Sequence, residues 1–513
     1  MTGRPSILHI ARVTIEAQGP LSIGGDTVDP EIDLAVQRDA NGLPAISGAT
    51  LAGSLRHRRA REFEEGVRDH KYGRLFGWTA KDVRELNDDG PVAKADRKRA
   101  AGIWQASRLT VTWAHIHDAR DHPVDGLVTD RDRLKQDPIL GPMLDPVPAR
   151  RDHVGLDSCG VADERKKYDR SFVPPGYRFT FELRLWTDTD REVAEWDEIE
   201  RLLASPFWRL GGATRRGYGR IAVRPKGFRK GRFDLAEPKD YRRFMLHHPR
   251  LDVVPELLET KELPPDSEGA SATLELRPDD FVRFGSGDRL LGHHADRDEA
   301  HNVDMLLLTM PRVHWPEEGE AELQLRRHLL VPASAIKGAL AHRFRFHLLA
   351  ARSVFADDLA AGAGREAVAA LAASCDGDLE EIFGSANAEA EDGKATGRAG
   401  RLYLDDQLIP LDDVKGDLGL QAHNSIDRFS GAVRRGVLFS EELLFRPQLA
   451  VPIRLDPPRD LEPERTTRLM DCLTRALADL VEGRLAIGAG GSKGHGYCTG
   501  TIEPADWLAR KPG

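Results

Sequence analysis

The 513-residue sequence predicts an α+β fold written twice, and three recurrences carry that prediction. Each half opens on alternating apolar residues, ILHIARVTIEA at 7–17 and ATLELRPDDFVRF at 272–284, the period-two pattern of a half-buried strand. Each half then passes through a small-residue turn into a helix. Each ends on a loop of glycines and cations that enters a short apolar run. Strand–helix–strand–strand–helix–strand content in each half points to a ferredoxin-like (RRM-like) core with insertions.

The elements follow in matched order. After the first strand comes a glycine–aspartate turn, SIGGD ending at Asp26 and FGSGD ending at Asp288. An apolar run behind an aspartate follows, EIDLAV around Asp33 and NVDMLLLTM around Asp304. The helices are ISGATLAGSLRHRRAREFEE at 46–65 and VPASAIKGALAHRFRFHLLA at 331–350, with Ser47 or Thr50, and Ser334, placed to cap them. Leu51 and Leu55 lie four apart, as do Ile336 and Leu340, so each helix has an apolar face. LFG at 75–77 then matches IFG at 382–384, and ASRLTV at 106–111 matches AGRLYL at 399–404. A second helix, 191–203 and 465–480, leads to RLGGATRRGYGR at 209–220 and LAIGAGGSKGHGYC at 485–498. The landmarks define two modules, 1–235 and 271–513, joined by a proline- and acid-rich linker at 236–270.

Composition narrows the class. The chain has no apolar run long enough for a membrane span, so no membrane partner is expected. Cys159, Cys375, Cys472 and Cys498 are scattered without a C-x-x-C pair, which argues against a zinc ribbon or disulfide framework and fits the cytoplasm. Net charge is −9, yet Arg209 to Phe233 holds nine basic residues and no acidic one, and local stripes set a nucleic-acid footprint. Neither glycine loop has dinucleotide or P-loop spacing. Two readings of the loops stay open. They are tight helix-to-strand turns, or anion nests in which Gly211, Gly212, Gly490 and Gly491 let backbone N–H groups meet phosphates.

The ordered set IGG, ID, SG-x-x-L-x-G-x-LR, FG, S-R-L, helix and glycine loop resembles the RAMP superfamily of CRISPR-associated proteins. The likeness is to a tandem fusion of two backbone subunits of the type III effector complex, the Cas-seven type. SGATLAGSLR and NSIDRFSGAVRRGVLFSEELL carry it most specifically. The resemblance implies a protein that holds CRISPR guide RNA alongside other type III effector subunits. It implies a β-hairpin thumb in each module, placed at 115–151 and 405–423, where Ile139, Leu140 and Met143 suit either wedging tips or a buried loop anchor. It also implies cleavage of complementary target RNA by an aspartate with a divalent metal, Mg²⁺ or Mn²⁺. By motif position those aspartates, as catalytic residues and metal ligands, are Asp33 and Asp304.

Guide binding by phosphate contact would draw on Arg56, Arg58 and Arg59 of the first helix and Lys337 and Arg343 of the second. Arg215, Arg216 and Lys493 in the loops would add to it. The two halves differ: Lys337 stands against Ala52, and Arg56 against Ala341. The segment GHHADRDEAHNVD at 292–304 could hold a transition metal or form a hydrophilic loop. Two other functions compete with target cleavage. One is a non-catalytic guide-holding scaffold; the other is a guide-processing endonuclease, which the doubled loop disfavours.

Overall fold

The computed structural model describes residues 6–24, 32–62, 75–77, 106–156, 161–187, 193–253, 256–264, 269–285, 287–292, 303–316, 323–359, 362, 364–385, 397–458 and 461–508. The first module runs β1 (Ile7–Ala17), β2 (Ala45–Ile46), α1 (Gly48–Glu62), β3 (Leu109–Val111), β4 (Ala114–Ile116), α2 (Arg131–Gln136) and α3 (Leu140–Met143). It continues with β5 (Arg150–Leu156), β6 (Ala162–Ser171), β7 (Arg178–Thr187), α4 (Val193–Ala204), β8 (Arg216–Gly217) and β9 (Ile221–Asp234). The connecting segment adds α5 (Pro238–Met245) and β10 (Glu259–Thr260).

The second module runs β11 (Ala270–Pro278), β12 (Phe281–Val282), β13 (Thr309–His314), β14 (Gln324–Val331), α6 (Ala333–Ala351), α7 (Arg365–Ala373) and α8 (Asp376–Phe383). After these come β15 (Leu402–Asp405), β16 (Gln407–Pro410), β17 (Leu418–His423), β18 (Phe439–Phe445) and β19 (Leu449–Leu455). The chain closes with α9 (Pro463–Val481), β20 (Glu482–Ala486) and β21 (Tyr497–Glu503).

The two main sheets share one topology. Spatial order is β9-β1-β7-β4 in the first and β21-β11-β19-β15 in the second, antiparallel at each of these pairings. Numbered within a module, that is fourth, first, third, second. The period-two pattern of β1 places Ala11, Val13 and Ile15 in one core with Leu51, Leu55, Ile199 and Leu203. Leu274 and Leu276 of β11 likewise join Ile336, Leu340, Leu473 and Leu477. Both helical four-residue spacings are therefore buried faces.

Capping differs between the two. Thr50 N donates to Ser47 Oγ at 3.2 Å, as a Ser N-cap should. Ser334 does not cap α6; the first N–H, at Ala333, donates instead to Asp406 Oδ1 at 2.8 Å.

Of the two segments expected to form hairpins, 115–151 does not form one, and 405–423 holds β16 and β17. Between β4 and β5 the chain coils into α2 and α3, and Ile139, Leu140 and Met143 are fully buried in the first core. Tyr177 Oη donates to the carbonyl of Ile139 at 2.8 Å, so those side chains anchor a loop rather than tip a wedge. Outside the main sheets, hairpins project at β5–β6, a two-stranded sheet, and at β17–β18, to which β12 adds a third strand. Val154, Leu156 and Val161 are exposed near the first tip, and Ile426, Phe429 and Val433 near the second. The segment 236–270 also carries structure, since β10 pairs with β9 at the sheet edge.

The modules are fastened together. Strand β8, part of the first glycine loop, pairs in parallel with β15 and completes the second module's sheet. The β13–β14 hairpin reaches back, its Val313 N donating to Pro175 O at 3.0 Å and Trp315 Nε1 to Gly176 O at 2.7 Å. The Arg178 guanidinium lies 4.0 Å from the Trp315 ring centre.

Candidate nucleic-acid interface

The two glycine loops have one backbone. Leu210 N donates to Gly219 O at 3.0 Å, and Ile487 N to Gly496 O at 2.9 Å. Gly212 N reaches Ser22 O, and Ala489 N reaches Arg283 O; Gly219 N reaches Pro20 O, and Gly496 N reaches Phe281 O. These bonds build a tight helix-to-strand turn in each module, and of the four glycines expected as phosphate donors they use the N–H of Gly212. Gly211 has φ 81°, and a Cβ there would stand 2.3 Å from Ser22 O. Only glycine fits so close to another backbone. A Cβ on Gly212 would meet Arg170, while Gly490 (φ 84°, left-handed) precedes a short 3-10 helix over Gly491–Lys493.

Between α1 and the first loop lies a cleft of about 340 Å³, bounded by Thr50, Ser54 and His57 on one side and Gly211, Arg215 and Tyr403 on the others. Arg215 stacks 4.7 Å from the Tyr403 ring centre and donates to Gly400 O. Arg216 is exposed and has no ion pair among the described residues. Arg56 is half-buried on α1.

Three predicted phosphate contacts are withdrawn from the surface. Arg58 is buried, pairs with Asp456 of the second module at 3.2 Å, and sits over Phe207. Arg59 is buried against Glu198. Lys337 is buried with Nζ donating to Leu402 O at 3.0 Å. Burial, reinforced by the nearby Arg215, Arg216 and Arg209 charges, pushes its pKa well below the usual lysine range. Arg343 pairs with Asp479, and Lys493 pairs with Glu441 at 3.1 Å while its Nζ lies 4.8 Å from the Phe439 ring centre. The sequence put these cations on two helices and a loop but did not say which of them would meet protein.

The cationic stripe after Arg209 serves the module junction as well. Arg209 Nη1 donates to Asp405 Oδ1 at 2.5 Å, Arg220 lies 3.5 Å from Asp405 Oδ2, and Arg454 holds the same carboxylate at 2.5 Å. Burial opposes the Asp405 charge, but Arg209 and Arg220 overcome it and hold the carboxyl at about 2. Next to it Arg151 pairs with Asp406 at 2.7 Å, both buried. The LYLDD run gave no hint of this role, because its partners stand 196 and 255 residues away.

Asp33 and Asp304 are both exposed and occupy matching places. Asp169 N donates to Asp33 Oδ2 at 3.0 Å, and Ser440 N to Asp304 Oδ2 at 2.8 Å, each 136 residues on along the chain. A return bond joins the same residues in each, from Asp33 N to the side-chain Oδ1 of Asp169 at 2.8 Å and from Asp304 N to the backbone O of Ser440 at 3.2 Å. Each carboxylate is thereby fixed to the return strand of its module's projecting hairpin. The longer spacing ahead of Asp304 has not displaced it.

Among the described residues no group of three or more metal-ligating side chains forms. A carboxylate with one oxygen on a backbone N–H fits a hard cation that takes its other ligands from phosphate and water. It does not fit a transition-metal cage. Of the His- and Asp-rich segment, residues 293–302 lie outside the described residues.

No helix among the described residues is long and apolar enough to cross a membrane. A search of curated proteins returns no match. A protein-family profile, the RAMP superfamily, matches residues 14–222 and 316–499, one block in each module. With well over half the sequence matched in two blocks, and the same sheet order and glycine loop in each, the chain belongs to the RAMP superfamily as a tandem two-module protein.

Proposed function

We propose that this chain is a backbone subunit of a type III CRISPR effector, holding guide RNA and cutting complementary target RNA at two places with a divalent metal. RAMP membership supports the CRISPR-associated, RNA-binding part. The observation that carries the rest is the duplicated anchoring of Asp33 and Asp304 beside a projecting hairpin. In this reading each module is a ferredoxin-like RAMP module, and β5–β6 and β17–β18 are the thumbs.

The chemistry asks little of the protein. An RNA 2′-hydroxyl already adjoins its phosphate, so a nucleotide splayed by a hairpin can bring the two into line. The exposed apolar tip residues part the bases, and the bonds from Asp169 and Ser440 hold each carboxylate in one orientation. The free carboxylate oxygen accepts the hydroxyl proton or holds the cation. When bound, Mg²⁺ or Mn²⁺ would neutralise developing phosphate charge.

Asp33→Ala should abolish one target-RNA product, lowering its rate by a factor of about 10² or more, and leave the other. Asp304→Ala should do the reverse, with guide retention unchanged in both. Denaturing gels of end-labelled target RNA read the outcome. If neither substitution removes a product while guide RNA stays bound, the chain is a scaffold.

A further inference from the structure

The first module's outer face is covered by the second module; among the described residues nothing covers the equivalent face of the second module in the same way. The match can be made residue by residue. Ile15 pairs with Phe179 and Val223, and Leu276 with Leu449 and Gly500, so Gly176 of the first module stands where Arg446 stands in the second. Both have positive φ, 88° and 51°. By the same register Pro20 corresponds to Phe281, and Arg178 to Gln448.

On the first module this face receives β13–β14. On the second it shows Phe445, 43% exposed, with the Phe281 ring tilted 56° against it at 5.3 Å between ring centres. Arg446 lies over Phe445 at 5.3 Å.

A second copy of the chain could not repeat the covered junction here. A Cβ at position 176 would sit 2.1 Å from Val313 O, and Arg446 has that Cβ. The cations that hold Asp405 are also missing, because Arg209 and Arg220 correspond to Ala486 and Tyr497. Nor does the incoming end match. The bridge Arg38 to Pro44 closes a turn at 39–43, where the pair Thr309 to Leu329 opens into the hairpin. Thr112 and Trp113 stand in place of Asp405 and Asp406, because Leu109 and Leu402 hold the same strand register.

We propose that Phe281, Phe445 and Arg446 form a docking face for a β-hairpin of a different polypeptide, and that this chain does not extend by adding copies of itself. The occupant follows from the fold: what covers this face on the first module is a neighbouring module's hairpin, with an aromatic edge like Trp315. Here that hairpin must leave room for the arginine side chain, whose Nε already donates to Asp279 O at 2.7 Å, and offer an oxygen acceptor to its Nη groups. The inference shares with the proposed function only the premise of a multi-subunit assembly. It does not depend on cleavage by either aspartate.

Two measurements test it. Native mass spectrometry of the purified chain at about 100 µM, far above the micromolar Kd of a weak standard-size interface, should show a monomer. Head-to-tail oligomers would overturn the proposal. In the assembly purified from its source cells through a tag on this chain, a photo-crosslinking residue at position 445 should yield an adduct. Peptide sequencing should assign it to a strand pair of another polypeptide. An adduct to this chain, or none, overturns the docking face. Phe445→Asp should lower recovery of that polypeptide at least about tenfold, with the melting temperature checking the fold. Unchanged recovery overturns it equally. RNA retained by the same preparation is scored separately, so loss of the RNA reading and loss of the docking face are told apart.

Discussion

The first glycine loop and the second share a backbone hydrogen bond for hydrogen bond, yet one is locked between modules and the other faces outward. In the first, Arg209 and Arg220 converge on Asp405, and β8 joins a foreign sheet. In the second, Ala486 and Tyr497 fill those places, and Lys493 turns to Glu441 of its own module. Identical turns thus do different jobs according to what lies across from them. A glycine loop fixes where the backbone goes; its cations take their role from the nearest carboxylate.

The largest difference between the loops should come from Asp405→Ala. It leaves Arg209 and Arg454 facing a cavity with uncompensated charge, which costs about 3–5 kcal/mol for a broken buried pair. Urea unfolding followed by tryptophan fluorescence measures this. The matching change in the first module, Thr112→Ala, removes a bond from Glu182 N and should cost only about 1 kcal/mol. The pH dependence has a definite sign. The folded Asp405 carboxyl is held at about 2, below its ordinary value, so its contribution is complete above about pH 4. It is lost as pH falls through about 2. Asp405→Ala should flatten that acid limb, and an unchanged limb would mean Arg209 and Arg220 are held by something else.

A smaller effect tests whether the loops are alike where the backbone says so. Gly211→Ala and Gly488→Ala place a Cβ 2.3 Å from Ser22 O and 2.5 Å from Arg283 O, both at positive φ. Each should destabilise by about 1–3 kcal/mol. Gly491→Ala meets only the Ala486 Cβ at 3.2 Å without positive φ, and should cost less than about 1 kcal/mol. A large gap between Gly211→Ala and Gly488→Ala in thermal melts would break the equivalence of the loops.

The smallest effect separates surface cations from buried ones. Arg216→Ala should reduce the slope of log affinity against log salt by about 0.7, the loss of one single-strand phosphate contact. Lys337→Met should leave that slope unchanged, since Nζ is already committed to Leu402 O inside the protein. Filter binding of guide RNA across a salt series distinguishes them.

Much of this was legible in the sequence because it is local. Alternation gave β1 and β11, four-residue spacing gave the buried faces of α1 and α6, and glycine density marked both loops. Repetition of those signals in order disclosed two modules of one kind. The position of Asp33 and Asp304 could be read the same way, and each proves anchored to a strand 136 residues on. Partners are another matter. Whether Arg58, Arg59, Lys337 and Arg209 face solvent or a carboxylate depends on chain segments up to 398 residues away. Ile139, Leu140 and Met143 suited a wedge or an anchor because an apolar cluster reads alike on a tip and in a core. Periodicity reports which face of an element is apolar; only the packing of elements decides what covers its charges, because Coulomb energy and desolvation depend on distances in space that the order of residues does not contain.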